Sequence, residues 1–500
     1  MSLAAVYSYG AFARRARGMS ENALPPVAPE DPAATAVDRR IGPATAGHPG
    51  QTGLALIDGN LEAFAVRARS ARSAGRSLDL QYYIWDDDLT GRLLLQEILA
   101  AADRGVRVRL LLDDVNAQGK DRVMRTLDAH ANIEVRLFNP SRNRDDRLRR
   151  GIELLLRAVR TTRRMHNKAW IADGRLAIVG GRNIADKYFD ADAAANFRDL
   201  DVIAIGPVAE QAAANFDRYW NCEAVIPIRR LRRATLHLGS VRQGLVALRS
   251  DKRAKPYLDQ VETDGTVNAL LSGRTPLHWT AVARLASDPP EKCTGGDEPN
   301  WLRAVLTPYL VAASSVVEII SPYFIPRVGG TAILLDLATR GVQVSVLTNS
   351  LAATDVAAVH GAYVRYRKRL VAGGVQLFEL RAYKRRGRIS LFGSSSASLH
   401  TKAFTVDGHL GFIGSMNFDP RSILLNTEMG VLFQHEALVA EVRAVFAEET
   451  QPPKAYRLGL ESGHLVWHDG ARIRHREPLA SWTRQLIAAV AGILPIESQL

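Results

Sequence analysis

The same pattern of 18 residues occurs twice in this chain, as HNKAWIADGRLAIVGGRN over 166–183 and HTKAFTVDGHLGFIGSMN over 400–417. Each copy sets a Lys two residues and an Asp seven residues after a His: His166, Lys168, Asp173 and His400, Lys402, Asp407. Each ends on an Asn, Asn183 or Asn417. From the composition, one chance match to H-x-K-x4-D is expected about 0.015 times per chain, and two about once in ten thousand. Both copies therefore fold alike and serve one purpose. Within each, His and Lys two apart share one face of an extended chain. Asp-Gly followed by an apolar run predicts a hairpin, with Asp173 and Asp407 fixing its turn rather than touching a ligand.

The duplication extends upstream. RSLDLQYY from Arg76 resembles the run from Ser315 to Tyr323, RGVRVRLLL from Arg104 resembles RGVQVSVLT from Arg340, and Ile133–Phe138 resembles Val375–Phe378. Each half reads strand, helix, strand, helix, strand and then the catalytic hairpin, which predicts an α/β class. The expected fold is two tandem α/β/α sandwich domains related by internal duplication, with the active site at their interface. The expected boundaries are a disordered segment over 1–50, a first domain over 51–225, a linker or insertion over 226–300, a second domain over 301–470 and a C-terminal amphipathic helix over 471–500.

Two His and two Lys in one cleft can transfer a phosphodiester without a metal. One imidazole attacks phosphorus and the other shuttles the proton of the departing and incoming alcohols. Lys168 and Lys402 neutralise phosphate oxygens, and Asn183 and Asn417 add hydrogen bonds to them. Arg182 is a further candidate for the headgroup. An attacking imidazole needs its second nitrogen held, and Asp199 in FRDLDV and Glu428 in LNTEMGV follow the motifs at comparable places. Ser415 of the second motif stands where the first has Gly181, so no symmetric role is expected of it. No His, Asp or Glu cluster has metal-ligand spacing, so neither a metal nor another cofactor is expected.

A net charge of +13 favours a polyanionic partner, either an anionic lipid surface or nucleic acid. The arginines gather between Arg142 and Arg164 and between Arg381 and Arg388, ahead of the two motifs. No aromatic series interleaves them, which disfavours nucleic acid. Cys222 and Cys293 exclude a disulfide framework and are expected to be unpaired. No apolar run reaches membrane-spanning length. Trp482, Leu486, Ile487, Val490 and Ile493 recur at helical spacing, which fits either a helix lying on a bilayer or one capping the domain. The helix expected over 153–161 is a second candidate for membrane contact.

The motifs resemble those of the phospholipase D superfamily. Together with QYYIWDDDLTGRLL, RGVRVRLLLDD, SDPPEK, LTNSLAATDVAAVH and GSMNFDPRSILLNTEMG, they are similar to the bacterial cardiolipin synthases over roughly residues 50–500. The resemblance implies two phospholipase D-like domains and a phosphatidyltransferase making cardiolipin through a phosphohistidine, with His166 as nucleophile and His400 as acid/base. It implies phosphatidylglycerol and phosphatidylethanolamine as substrates and a peripheral place on the bacterial inner membrane, and it leaves a helper protein open. The residues themselves do not set the order of the two histidines. Nor do they distinguish transfer to a lipid from transfer to water, or exclude a nuclease or a membrane-binding protein with a dead site.

Overall fold

The computed structural model describes residues 35–117, 120–141, 162–193, 195–231, 237–263, 277–295, 301–382, 396–470 and 472–493. The expected helix over 153–161 and most of both arginine clusters lie outside the described residues.

Two sheets form the frame. In the first, Ser77–Tyr82, Arg107–Asp113 and Ile133–Phe138 run parallel. Their apolar runs are buried by helices, as the connection Leu89–Asp103 requires. The sheet continues antiparallel through Ala169–Ala172, Leu176–Gly180, Asp201–Ile205 and Thr52–Ile57. The second sheet repeats this order with Val316–Ile320, Gln343–Asn349 and Gln376–Leu380 parallel, then Ala403–Val406, Leu410–Gly414, Met429–Gln434 and Ala283–Ser287. One apolar cluster crosses the boundary: Ala169, Ile171 and Val179 of the first sheet pack with Ala403, Ile413 and Val431 of the second, joined by Phe216 and Trp220.

Both Asp-Gly pairs turn as expected. Asp173 and Gly174 have φ of 55° and 67°, and Asp407 and Gly408 have 51° and 73°, the twin left-handed residues of a tight hairpin. The carboxylates do more than turn the chain. Asp173 accepts from the backbone N–H groups of Gly75, Arg76 and Ser77, and Asp407 from those of Ser314, Ser315 and Val316. Each ties its hairpin to the start of the first parallel strand of its half.

Three boundaries differ from expectation. The 226–300 segment is no mere linker: His278–Thr280 extends the first sheet and Ala283–Ser287 is the first strand of the second. The three residues His278-Trp279-Thr280 are too few for alternation to announce a strand. Part of the 1–50 segment is ordered, because Ala36–Ala46 is a helix with a Thr35–Asp38 capping box. Val37 and Ile41 anchor it, and buried Asp38 pairs with Arg76. Over 471–500, Ile473–Arg474 is a strand and the helix is Trp482–Ile493. No disulfide joins Cys222 and Cys293.

Candidate active site

Each motif is fastened twice. On its own side, the residue before the His is held by a polar group at the end of the second parallel strand. Met165 N–H donates to Asp113 Oδ2 at 3.0 Å, and Leu399 N–H donates to Asn349 Oδ1 at 3.0 Å. On the other side, the motif pairs with the opposite half. His166 N–H donates to Thr427 O, and Thr427 N–H to Arg164 O. The strand Ser396–Leu399 runs parallel to Ala195–Arg198, and His400 N–H donates to Arg198 O. Thr427 and Arg198 directly precede Glu428 and Asp199, so this pairing delivers each carboxylate to the other half's histidine.

Glu428 Oε2 accepts from His166 Nδ1 at 2.8 Å, and Asp199 Oδ2 lies 2.5 Å from His400 Nδ1. Asp199 and Glu428 thus meet the histidines as orienting carboxylates would, but crossed between the halves. Lys168 Nζ donates to His166 O at 2.6 Å, and Lys402 Nζ donates to His400 O. All six side chains are buried. A seat for a second support explains the Ser415/Gly181 asymmetry. Ser415 Oγ donates to Glu428 Oε2 at 2.5 Å, whereas a Cβ on Gly181 would meet Asp199 Oδ1 at 2.2 Å.

Burial sets the electrostatics. It pushes His166 down to about 4 and His400 well below the usual imidazole range, with the neighbouring ammonium groups adding to the effect. It lowers Lys168 to about 7 and Lys402 to about 8, against the pull of Glu428 and Asp199. The two carboxylates part company. Burial raises Asp199 to about 7, while the charges of His166 and Lys168 and the Ser415 hydroxyl hold Glu428 below its ordinary value despite burial.

The two asparagines are placed differently. Asn183 spends its carbonyl on Ile84 N–H and an amide hydrogen on the Tyr188 hydroxyl. That hydroxyl stands 3.5 Å from His400 Nε2. Asn183 therefore reaches the cleft through Tyr188. Asn417 keeps a buried Oδ1 without a protein partner. Arg182 does not reach the cleft at all. It is fully buried and its guanidinium is consumed by Ile57 O, Asp58 O, Asn60 and Asp201.

Aromatic rings missed in the sequence frame the histidines. Tyr83 stands edge-on to His166 at 5.0 Å between centroids, with Lys168 Nζ 5.5 Å from its ring. Tyr188 and Phe197 flank His400 at 5.1 and 4.9 Å. Asp288 and Lys292 of SDPPEK lie beneath. Asp288 Oδ2 accepts from Glu428 N–H at 2.9 Å and from Lys292 Nζ at 2.8 Å, so the connector between the sheets braces the first histidine's carboxylate. A separate buried group, His360, Glu379 and Glu477, has metal-type ligands within 4.8 Å of one another. Arg367 already pairs with both carboxylates, so the group is a balanced ion network rather than a vacant site.

Two duplicated α/β units that pool a His and a Lys each in one buried cleft define a phospholipase D-like enzyme. The family profile described as "Cardiolipin synthase, PLD-like domain" matches residues 68–220 and 306–450. The chain is 43% identical over 473 residues to cardiolipin synthase C of Escherichia coli, covering 91% of this chain and 98% of that one. It is 33% identical to an uncharacterised protein of Helicobacter pylori over 90% of this chain and 89% of that one. Among solved structures, a phosphatidylserine synthase of Haemophilus influenzae has the same fold, with a TM-score of 0.53 at 14% identity over 81% of this chain and 87% of that one. The chain belongs to the cardiolipin synthase family of phospholipase D-like phosphatidyltransferases.

Proposed function

We propose that this enzyme makes cardiolipin by moving a phosphatidyl group from one phospholipid to phosphatidylglycerol, with phosphatidylethanolamine or a second phosphatidylglycerol as donor. The crossed carboxylates carry the reading of the mechanism. Ionised Glu428 accepts the Nδ1 proton of His166, which leaves Nε2 with its lone pair as the nucleophile. Asp199, raised to about 7, carries a proton in a large share of molecules at neutral pH. A protonated Asp199 donates to His400 Nδ1, so the His400 proton sits on Nε2, ready for the departing alcohol. His166 attacks phosphorus as His400 protonates the leaving oxygen from Nε2 and takes the Asp199 proton on Nδ1, so the imidazole stays neutral. The phosphohistidine is then attacked by the acceptor hydroxyl, which gives its proton back to His400. Lys168 and Lys402 stabilise the charge on the phosphoryl oxygens.

A peripheral place on an anionic bacterial membrane fits the C-terminal helix. Its inner side packs on Ala357–Ala372, where Gly361 leaves room for Ala488 O, while Trp482, Leu486, Ile487 and Val490 stand exposed. Capping and bilayer contact are therefore not alternatives. Among the described residues, no helix is long and apolar enough to cross a membrane.

The test is chromatography of labelled phosphatidylglycerol vesicles, with and without phosphatidylethanolamine, after incubation with the enzyme and with His166→Ala and His400→Ala. Cardiolipin from the wild type alone is expected, and its dependence on phosphatidylethanolamine identifies the donor. Phosphatidic acid without cardiolipin would make water the acceptor. No lipid product alongside DNA cleavage would overturn the reading in favour of a nuclease.

A further inference from the structure

Beside the second motif lies a cavity of about 670 Å³, within the range of small-molecule sites. Its lining includes Met416 and Phe418, the residues on either side of Asn417. Its walls are Leu306 and Leu310 from the helix Leu302–Val311, and Ile333 from Arg327–Thr339. The Thr307 hydroxyl on the wall is already donated to Arg303 O and asks nothing of a ligand. Val328, 73% exposed, stands at the rim.

The duplication shows what keeps this space open. The helices Leu89–Asp103 and Arg327–Thr339 end alike, at Arg104-Gly105-Val106 and Arg340-Gly341-Val342, with Val106 N–H on Ala101 O and Val342 N–H on Leu337 O. Counting back from that shared end, Leu93 and Leu94 of the first half correspond to Gly329 and Gly330 of the second. The two leucines are 2% and 0% exposed and fill the space under their helix. A Cβ on Gly329 would meet nothing within 4 Å, and one on Gly330 would meet Pro326 Cβ at 3.1 Å. Two glycines in one helical turn cost about 1 kcal/mol each relative to Ala, and the helix also begins on Arg327 at φ 56°. The second half thus gives up helix stability at the point where it gains an apolar cavity.

We infer that this cavity receives one acyl chain of the phospholipid whose phosphate lies between His166 and His400, and that Gly329 and Gly330 hold it open as determinants of chain length. The inference rests on the phosphatidyl-transfer reading. A mostly apolar lining, with Arg303, Thr307, Arg327 and Tyr366 as its polar members and both chain neighbours of Asn417 among its residues, suits a hydrocarbon tail tethered to that phosphate, and burial of methylenes supplies the selectivity.

The full-length enzyme is assayed in mixed micelles with phosphatidylglycerol bearing either two sixteen-carbon or two six-carbon chains, at equal surface fraction. The wild type is expected to favour the long-chain lipid at least tenfold in kcat/KM. In Gly329→Leu, which restores the residue of the first half, and in Ile333→Trp, that ratio falls toward one. A wild-type ratio near one, or a ratio unchanged in both variants, overturns the inference. Melting curves confirm that the variants fold, and Gly329→Leu raises helix propensity. Binding of cis-parinaroyl phosphatidylglycerol, read by its emission, separates this inference from the function it rests on. If the wild type turns over neither lipid, the phosphatidyl-transfer reading fails. Probe emission enhanced by the wild type and lost in Gly329→Leu would still support the cavity, and equal emission from both would overturn it.

Discussion

Glu428→Gln tests the crossed pairing most sharply. Glu428 is fully buried, takes the Nδ1 proton of His166 at 2.8 Å and is the neighbour that does most to keep the Lys168 ammonium charged. A glutamine of nearly the same shape preserves the packing. It can also turn an N–H toward His166 Nδ1, which moves the imidazole proton to Nε2 and removes the attacking lone pair. The corresponding change in a Ser-His-Asp triad costs about 10⁴ in kcat, and we expect a loss of about 10³–10⁴ here, ~4–5.5 kcal/mol of barrier. A second effect travels with it. Lys168 sits at about 7 with Glu428 present, so removing that charge lowers it further, and the alkaline limb of the residual activity moves toward acid pH. Rapid-quench single turnover with phosphorus-labelled phosphatidylglycerol measures phosphohistidine formation, and melting curves confirm the fold. A loss under tenfold, or a large loss with an unmoved alkaline limb, refutes the assignment of Glu428 to His166.

Three more outcomes are expected. Lys168 and Lys402 are held at about 7 and about 8 by burial, so both are charged below these values and lose their protons as pH rises through them. The wild-type kcat/KM should therefore fall between about pH 7 and 9, and a profile flat to pH 9 refutes the role of the two ammonium groups. Three backbone N–H groups hold Asp407 well below the usual carboxylate range, so its stabilisation is present above the unfolded carboxylate pKa and lost as pH falls through the lower folded value. Asp407→Asn should lower stability at pH 7 by about 1–3 kcal/mol and flatten the acid limb of the melting temperature, and an unchanged melting temperature counts against the tether. Deleting residues from Ser481 onward should reduce sedimentation with phosphatidylglycerol vesicles severalfold, and unchanged sedimentation removes the helix as an anchor.

The duplication and its hairpins were legible because the signals are local: an Asp-Gly turn, an alternating strand and a repeated spacing. Asp199 and Glu428 stood out as carboxylates at comparable places after each motif. Their exchange between halves did not, because it arises from long-range pairing of Ser396–Leu399 with Ala195–Arg198 and of Met165 with Thr427, which no spacing encodes. Arg182 and Asn183 misled because adjacency to the motif says nothing about which face a side chain takes. Arg182 turns inward to Asp201, and Asn183 turns to Tyr188. Tyr83 and Tyr188 carry no sequence signal of their own. Asp113 and Asn349 do, as the aligned fourth residues of LLLDD and VLTNS, and they could have been found by comparing the halves.

The two halves share a backbone and differ where their roles differ. Ser415 supports Glu428, and the equivalent Gly181 instead makes room for the shorter Asp199. One carboxylate is thereby solvated by a hydroxyl and stays ionised, while the other, which accepts from Leu200 N–H, is raised by burial to about 7. Opposite demands follow for the imidazoles, a lone pair on one and a proton on the other, from two copies of the same motif. Leu93-Leu94 against Gly329-Gly330 extends the logic to the substrate, with one half closed and the other open beside the phosphate. Crossing the carboxylates adds a constraint: neither half can orient its own histidine, so activity requires that the halves be docked.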